Sequence, residues 1–305
     1  TSAIGNGSIT NTNGNNATNR GLIWYPFTDT DKDIGDPDVT NVAEDGDFGA
    51  EAFTADFVGL EVNTHYNVRA HATNPNGTAY GDRVDFWTLA NVPAAPTVDG
   101  ATATSLDVTV NVNGNPTGTE YCIHETSTTM IVQADGSLNT TEKWQTATAW
   151  GTVTLNNLNT GETYTFRVKA RNGELVETTY SPEASGTTCT NPTDGGTIAA
   201  DQLICEGSVP NPLTSASGAT GYGGTLEYKW QLSTSSSTAG FSDIENSNSV
   251  SYAPGNLYGT TWFKRLARVD CMEDWTAAVE SNVIEIAVYD VFDPGEIQST
   301  GHTIC

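Results

Sequence analysis

Positive charge is scarce in this chain. Lys and Arg together number 12 in 305 residues against 37 Asp and Glu, for a formal net charge of −25. The shortage is uniform: residues 1–92 carry 13 acids and 4 bases, 93–188 carry 10 and 4, and 189–290 carry 12 and 4. A field of that sign repels phosphates and anionic headgroups, which argues against nucleic acid and anionic membranes as partners. Long apolar runs are missing as well. No stretch approaches the ~18 residues of a membrane-spanning helix, so direct membrane insertion is not expected, and no signal peptide is visible. Histidine is rare and scattered over His65, His71, His124 and His302. With no His-Glu-x-x-His or Cys-x-x-Cys, the sequence holds no transition-metal motif. It also lacks a Gly-x-Ser-x-Gly elbow, and nothing singles out a carboxylate pair for glycoside cleavage, so an enzyme is not expected.

Helical periodicity is nowhere sustained, whereas period-two alternation recurs. In Leu106-Asp-Val108-Thr-Val110-Asn-Val112 every apolar residue falls on one face, the pattern of a half-buried strand. Short alternating runs are separated by Asn-Gly, Asp-Gly and Gly-Gly turns, and Pro93, Pro96, Pro192 and Pro294 stand near natural joints. This predicts an all-β chain of three consecutive β-sandwiches in an extended array, over 1–92, 93–188 and 189–290, with 291–305 opening a further repeat. Gly196-Thr-Ile198 leading to Ile204-Cys205 is echoed by Gly295-Glu-Ile297 leading to Ile304-Cys305. At the other end, Thr1–Ile9 reads as a second sandwich strand without its first. The expectation is a segment cut from something longer.

Cys205, Trp230 and Cys271 have the Cys–Trp–Cys spacing of an Ig-like sandwich stapled across its two sheets, so Cys205 and Cys271 are expected to pair. Cys305, in the Cys205-like position of the next copy, is expected to have no partner within the chain. Cys122 sits between Tyr121 and Ile123, which claim the core face, and is expected on the outer face; a bond to Cys189 stays open. In the first two segments Leu60 precedes Tyr66 by six residues and Leu158 precedes Tyr164 by six. Each Tyr opens an alternating strand and can turn its hydroxyl back onto the preceding corner, the tyrosine-corner device of Greek-key sandwiches.

The stretches from Gly59 to Asn74 and from Leu158 to Asn172 resemble fibronectin type III domains. The continuation Asn76-Gly-Thr-Ala-Tyr80-Gly-Asp-Arg-Val84-Asp-Phe86 is similar to the version common in surface proteins of the Bacteroidota. Residues 194–289 resemble the repeat of very large Bacteroidota surface proteins, including gliding-motility adhesins exported by the type IX secretion system. Ile204-Cys205-Glu-Gly207, Tyr228-Lys-Trp230-Gln231, Tyr252-Ala-Pro254-Gly255-Asn-Leu257 and Thr260-Thr261-Trp262-Phe263-Lys-Arg265 carry that likeness. The resemblance implies a fibronectin type III-like domain lacking its first strand, then a complete one, then an Ig-like repeat. It also implies a non-catalytic stalk or adhesive filament at a bacterial cell surface or outside the cell.

Two further features suggest ligands. Asp29, Asp31, Asp33, Asp36 and Asp38 crowd into ten residues, and alternate carboxylates in a tight loop are how calcium is wrapped. The segment is similar to thrombospondin type 3 and EF-type loops, with Gly35 displaced from its place there and Thr40 standing where an EF loop has Glu. Calcium is therefore the candidate cofactor, against a solvated acidic hairpin. Trp144, Trp150 and Trp275 flank polar loops, where rings stack on sugars or pack at joints. The alternative function is accordingly an accessory carbohydrate-binding region of a secreted hydrolase, which an exposed coplanar Trp pair would favour. The expected partners are neighbouring domains of a longer polypeptide or further copies, with surface glycans as the ligand class.

Overall fold

The computed structural model describes residues 1–290, so the expectations for 291–305, including Cys305 and the further repeat, lie outside the described residues. Among the described residues the chain forms twenty-four strands and one four-residue helix. No helix among them is long and apolar enough to cross a membrane.

The strands group into three pairs of facing sheets. The first pair uses β1 (Ala3–Ser8), β2 (Ala17–Pro26), β3 (Thr40–Phe48), β4 (Ala52–Phe57), β5 (His65–Asn74), β6 (Gly77–Tyr80) and β7 (Val84–Trp87). The two-stranded β1-β4 sheet faces the sheet β3-β2-β5-β6, on which β7 also pairs with β5. Alternation puts Leu22 and Trp24 of β2, with Tyr66 and Val68 of β5, into one core together with Phe53, Phe57 and Leu60. A one-residue slip would carry this whole set to the other face, which fixes the observed Trp24–Val68 register. The tyrosine corner forms as its spacing requires: the Glu61 N–H donates to the Tyr66 hydroxyl at 3.0 Å.

The second pair contains β8 (Ala94–Asp99), β9 (Leu106–Asn111), β10 (Glu120–Glu125), β11 (Met130–Val132), β12 (Leu138–Asn139), β13 (Gln145–Thr146), α1 (Ala147–Trp150), β14 (Thr152–Leu155), β15 (Thr163–Arg171) and β16 (Ala184–Thr187). Sheet β14-β9-β8 covers sheet β12-β11-β10-β15-β16. Leu106, Val108 and Val110 all point inward, as do Tyr121, Ile123, Tyr164, Phe166 and Val168. The single turn of α1 is capped by the Thr146 hydroxyl, which accepts from the Ala149 N–H.

The third pair contains β17 (Thr197–Ala199), β18 (Gln202–Cys205), β19 (Thr214–Ser217), β20 (Leu226–Ser233), β21 (Ser242–Asp243), β22 (Thr261–Val269), β23 (Val279–Glu280) and β24 (Ile284–Tyr289). Sheet β17-β19 faces β18-β24-β22-β20-β21. β18 runs parallel to β24, and β22 is antiparallel to β20, β24 and the short β23. Trp230 is wholly buried among Ile198, Leu213, Phe263, Ile284 and Ile286. Its indole N–H is satisfied by the Ser249 carbonyl at 2.9 Å.

The described residues divide into two compact units: Thr1–Val98 with Asp107–Leu155 and Tyr164–Ser185, and Asp99–Leu106 with Asn156–Thr163 and residues 186–290. The second sandwich is thus shared. Most of it belongs with the first, while its 99–106 and 156–163 turns belong with the third.

Candidate functional site

The most built regions outside the cores are the joints between consecutive sandwiches, one within each unit. At the first, around residues 87–93, asparagines connect backbone segments of the first and second sandwiches. Buried Asn63 donates to the Thr119 hydroxyl at 2.7 Å and accepts from the Gly173 N–H at 3.1 Å. Buried Asn172 donates to the Thr88 carbonyl at 3.2 Å, while its carbonyl oxygen accepts from Glu174 and Val176 and shapes its own loop. Asn91 and Asn115 exchange two bonds: the Asn91 N–H reaches Asn115 Oδ1 at 2.7 Å, and Asn115 Nδ2 reaches the Asn91 carbonyl at 2.9 Å. Asn113 adds a bond to the Val92 carbonyl at 2.9 Å. An amide both donates and accepts, so it can bridge two backbones without the cost of desolvating a charge.

The Trp87 ring lies directly on Gly173, where a Cβ would stand 2.4 Å from the ring. Only glycine permits that approach. The other neighbour of Trp87 is His65, stacked at 4.8 Å, which in turn stacks on Phe27 at 3.9 Å.

At the second joint a disulfide links Cys189, which follows β16, to Cys271, which follows β22. The connecting segment is bonded along its length. The Cys189 N–H donates to the Thr102 carbonyl at 2.8 Å, Thr190 and Gly223 exchange two bonds at 3.0 Å, and Asp194 pairs with Thr220. Asn191 bridges to the Ala277 carbonyl and the Val269 N–H. Wholly buried Arg265 donates to the carbonyls of Gly195, Ser217 and Val250 and lies over the Tyr228 ring, and its burial lowers its pKa.

The scarce cations are spent on the protein's own surfaces. Ten of the twelve lie over an aromatic ring, as Arg20 does over Phe48, Arg167 over Tyr180, Arg171 over Trp144 and Lys229 over Trp275. Lys169 also bonds Glu142 and Glu177. Burial works to lower its pKa, but the two carboxylates override this and raise it. The same packing fills the tryptophans' faces. Trp150 is buried, with its N–H on the Tyr121 carbonyl, and none of the seven Trp is exposed. The rings thus form no open coplanar pair.

Several expected sites are placed differently. Cys271 bonds to Cys189, so the expected Cys205–Cys271 pair does not form, and Cys205 is not a free thiol. The reason is topological: Cys271, two residues beyond β22, lies at the end of the sandwich where the connecting segment arrives. The open Cys122–Cys189 possibility is excluded by the same bond. Cys122 is free and wholly buried opposite Lys169, with burial pushing its pKa up to about 11, so it has no thiolate character at neutral pH. Asp29, Asp31, Asp33, Asp36 and Asp38 are all exposed. Three of them face cations: Asp31 pairs with Arg69 and Arg83, Asp33 with Arg69, and Asp38 with Lys32, while Asp36 accepts from the Asp33 N–H. Among the described residues no three His, Cys, Asp or Glu converge as a metal cluster.

Sequence reasoning missed the joint asparagines. Only Asn91 lies near Pro93 in sequence, and the others stand in turns tens of residues away, where a structural role is indistinguishable from simple turn propensity.

Residues 194–290, the third sandwich, match the family model of a domain of unknown function, DUF8696. No curated protein matches the chain. Among solved structures it is similar to the FN1–FN3 domains of chicken CNTN1, at 14% identity over 90% of each chain with a TM-score of 0.31. The sheet topology and the tyrosine corner define a tandem of fibronectin type III-like and Ig-like β-sandwiches.

Proposed function

We propose that this chain is a non-catalytic, load-bearing segment of a large repetitive extracellular or cell-surface protein, serving as an adhesin stalk or structural filament. The observation that carries the proposal is the construction of the two joints. Connectors that only tether domains need no buried amide network, no ring seated on a backbone glycine and no covalent staple. The charge distribution supports it too. With its cations committed to internal contacts, the chain presents free carboxylates and no basic patch, which suits solubility and spacing over capture of anions.

The resemblance to Bacteroidota surface proteins makes a gliding-motility adhesin exported by the type IX system the specific form of this proposal. Neighbouring domains of the same polypeptide, or further copies, are then its first partners. The test is backbone 15N relaxation on the whole chain. Stiff joints give one common tumbling time for adjoining sandwiches, whereas separate, faster times for each would sink the proposal.

A further inference from the structure

The second joint holds a device that the load-bearing reading does not require. Cys189 and Cys271 are 82 residues apart in sequence, and the residues between them make up most of the third sandwich, including Trp230 and the greater part of its core. Force arriving along 186–189 meets the disulfide before it meets any strand of that sandwich. It therefore crosses to Cys271, two residues beyond the end of β22. From there the covalent path runs through 272–283 into β24.

β22 and β24 are antiparallel, with Phe263 opposite Ile284 and Thr261 opposite Ile286. The Cys271 end of β22 and the Tyr289 end of β24 therefore lie at opposite ends of the pair. Tension between them acts along the strands and loads the perpendicular hydrogen bonds together, not one at a time. The disulfide borders an open crevice of about 420 Å³, lined by Thr187, Thr188, Gly224 and Asp270 among others, so a small thiol has a route to it.

We propose that the Cys189–Cys271 disulfide is a load shunt: it keeps residues 190–270 off the force path, so that this part of the third sandwich cannot be drawn out under tension while the bond is intact. A thiolate removes the shunt by attacking one sulfur. A mixed disulfide forms there, the S–S bond breaks, and the other cysteine leaves as thiolate. The sandwich then changes from a short, stiff link to one with a long reserve of extension.

The shunt rests on the load-bearing reading but is measured separately. The experiment is single-molecule pulling between the chain ends in a Cys205→Ser background, so that only this bond is in play. The release length of the third sandwich is compared with that of Cys205→Ser/Cys271→Ser. At ~3.4 Å per extended residue, the 82 residues predict a release about 280 Å shorter with the bond intact. Equal lengths would overturn the shunt. Should the double variant fail to fold, dithiothreitol added to the loaded Cys205→Ser chain provides the second arm. A discrete lengthening approaching the same value is expected, and its absence at reductant concentrations that cleave the bond in solution overturns the shunt. A short release in a chain whose sandwiches tumble independently supports the shunt while counting against the load-bearing reading.

Discussion

The joint around residues 87–93 is held by amides and by one ring seated on a glycine, whereas the joint around 188–196 has a covalent bond in addition to its hydrogen bonds. Each amide contact is worth about 1 kcal/mol net and opens reversibly. The first joint therefore depends on many small contacts and can yield locally without losing either sandwich. The second concentrates its strength in one bond that only chemistry removes. A joint can thus be fastened either way, but only the covalent form responds to redox conditions.

The largest expected contrast comes from breaking the staple. In Cys271→Ser the third sandwich should lose about 4–5 kcal/mol on a chain-entropy view of its 82-residue loop, while the first keeps its midpoint. Denaturant unfolding followed by domain-resolved amide exchange measures both, and an unmoved third sandwich would contradict the assignment.

At the first joint the effects should be smaller and local. Asn63→Ala strands the Gly173 N–H and the Thr119 hydroxyl, and a loss of about 1–3 kcal/mol is expected. Gly173→Ala drives a methyl into the Trp87 ring, with a similar cost of about 1–3 kcal/mol from overpacking. Both variants should release the common tumbling of the first two sandwiches and leave the second joint stiff. Unchanged relaxation in either would show that these contacts do not hold the joint.

A pH titration separates the sandwiches in another way. Burial lowers the pKa of His71 in the first sandwich below its usual value near 6.5. The unfolded chain therefore takes up a proton that the folded one resists. This contribution is complete above the unfolded pKa and is lost as pH falls below it toward the folded pKa. The first sandwich should lose stability over that window, and His71→Gln should flatten the slope. An equally steep slope in the variant would assign the effect elsewhere.

The smallest effect concerns the acidic loop. Arg69→Gln removes the cation facing Asp33 and one of the two facing Asp31, and since these carboxylates are exposed, a loss of about 0–1 kcal/mol is expected. With cations already in place, millimolar calcium should leave the melting temperature of the first sandwich where chelator leaves it. A calcium-dependent rise would show that the ion displaces Arg69 and Arg83.

Much of the fold was legible because its signals are local. Alternation in 106–112 and 164–170, the Leu60–Tyr66 spacing and the Trp230 environment each depend on a few neighbouring residues, and each forms as expected. The cysteine pairing was not legible. Cys205, Trp230 and Cys271 have the right spacing for a cross-sheet staple, but a disulfide follows proximity in space. For a related reason the calcium-like spacing of the acidic loop says nothing about Arg69 on β5 or about Arg83, which approach from distant parts of the chain.

The sequence alone determined that this is an all-β chain of sandwiches with distinct cores, because a period-two pattern with turn residues between runs admits few other ways of burying its apolar face. It also determined the uniform negative charge, which is a matter of counting. Only the tertiary structure decided where the twelve cations went, which cysteine met Cys271, and that asparagines scattered from Asn63 to Asn172 would meet at one joint. Those outcomes depend on contacts between residues tens to more than a hundred positions apart, and such distances are set by how the sheets stack.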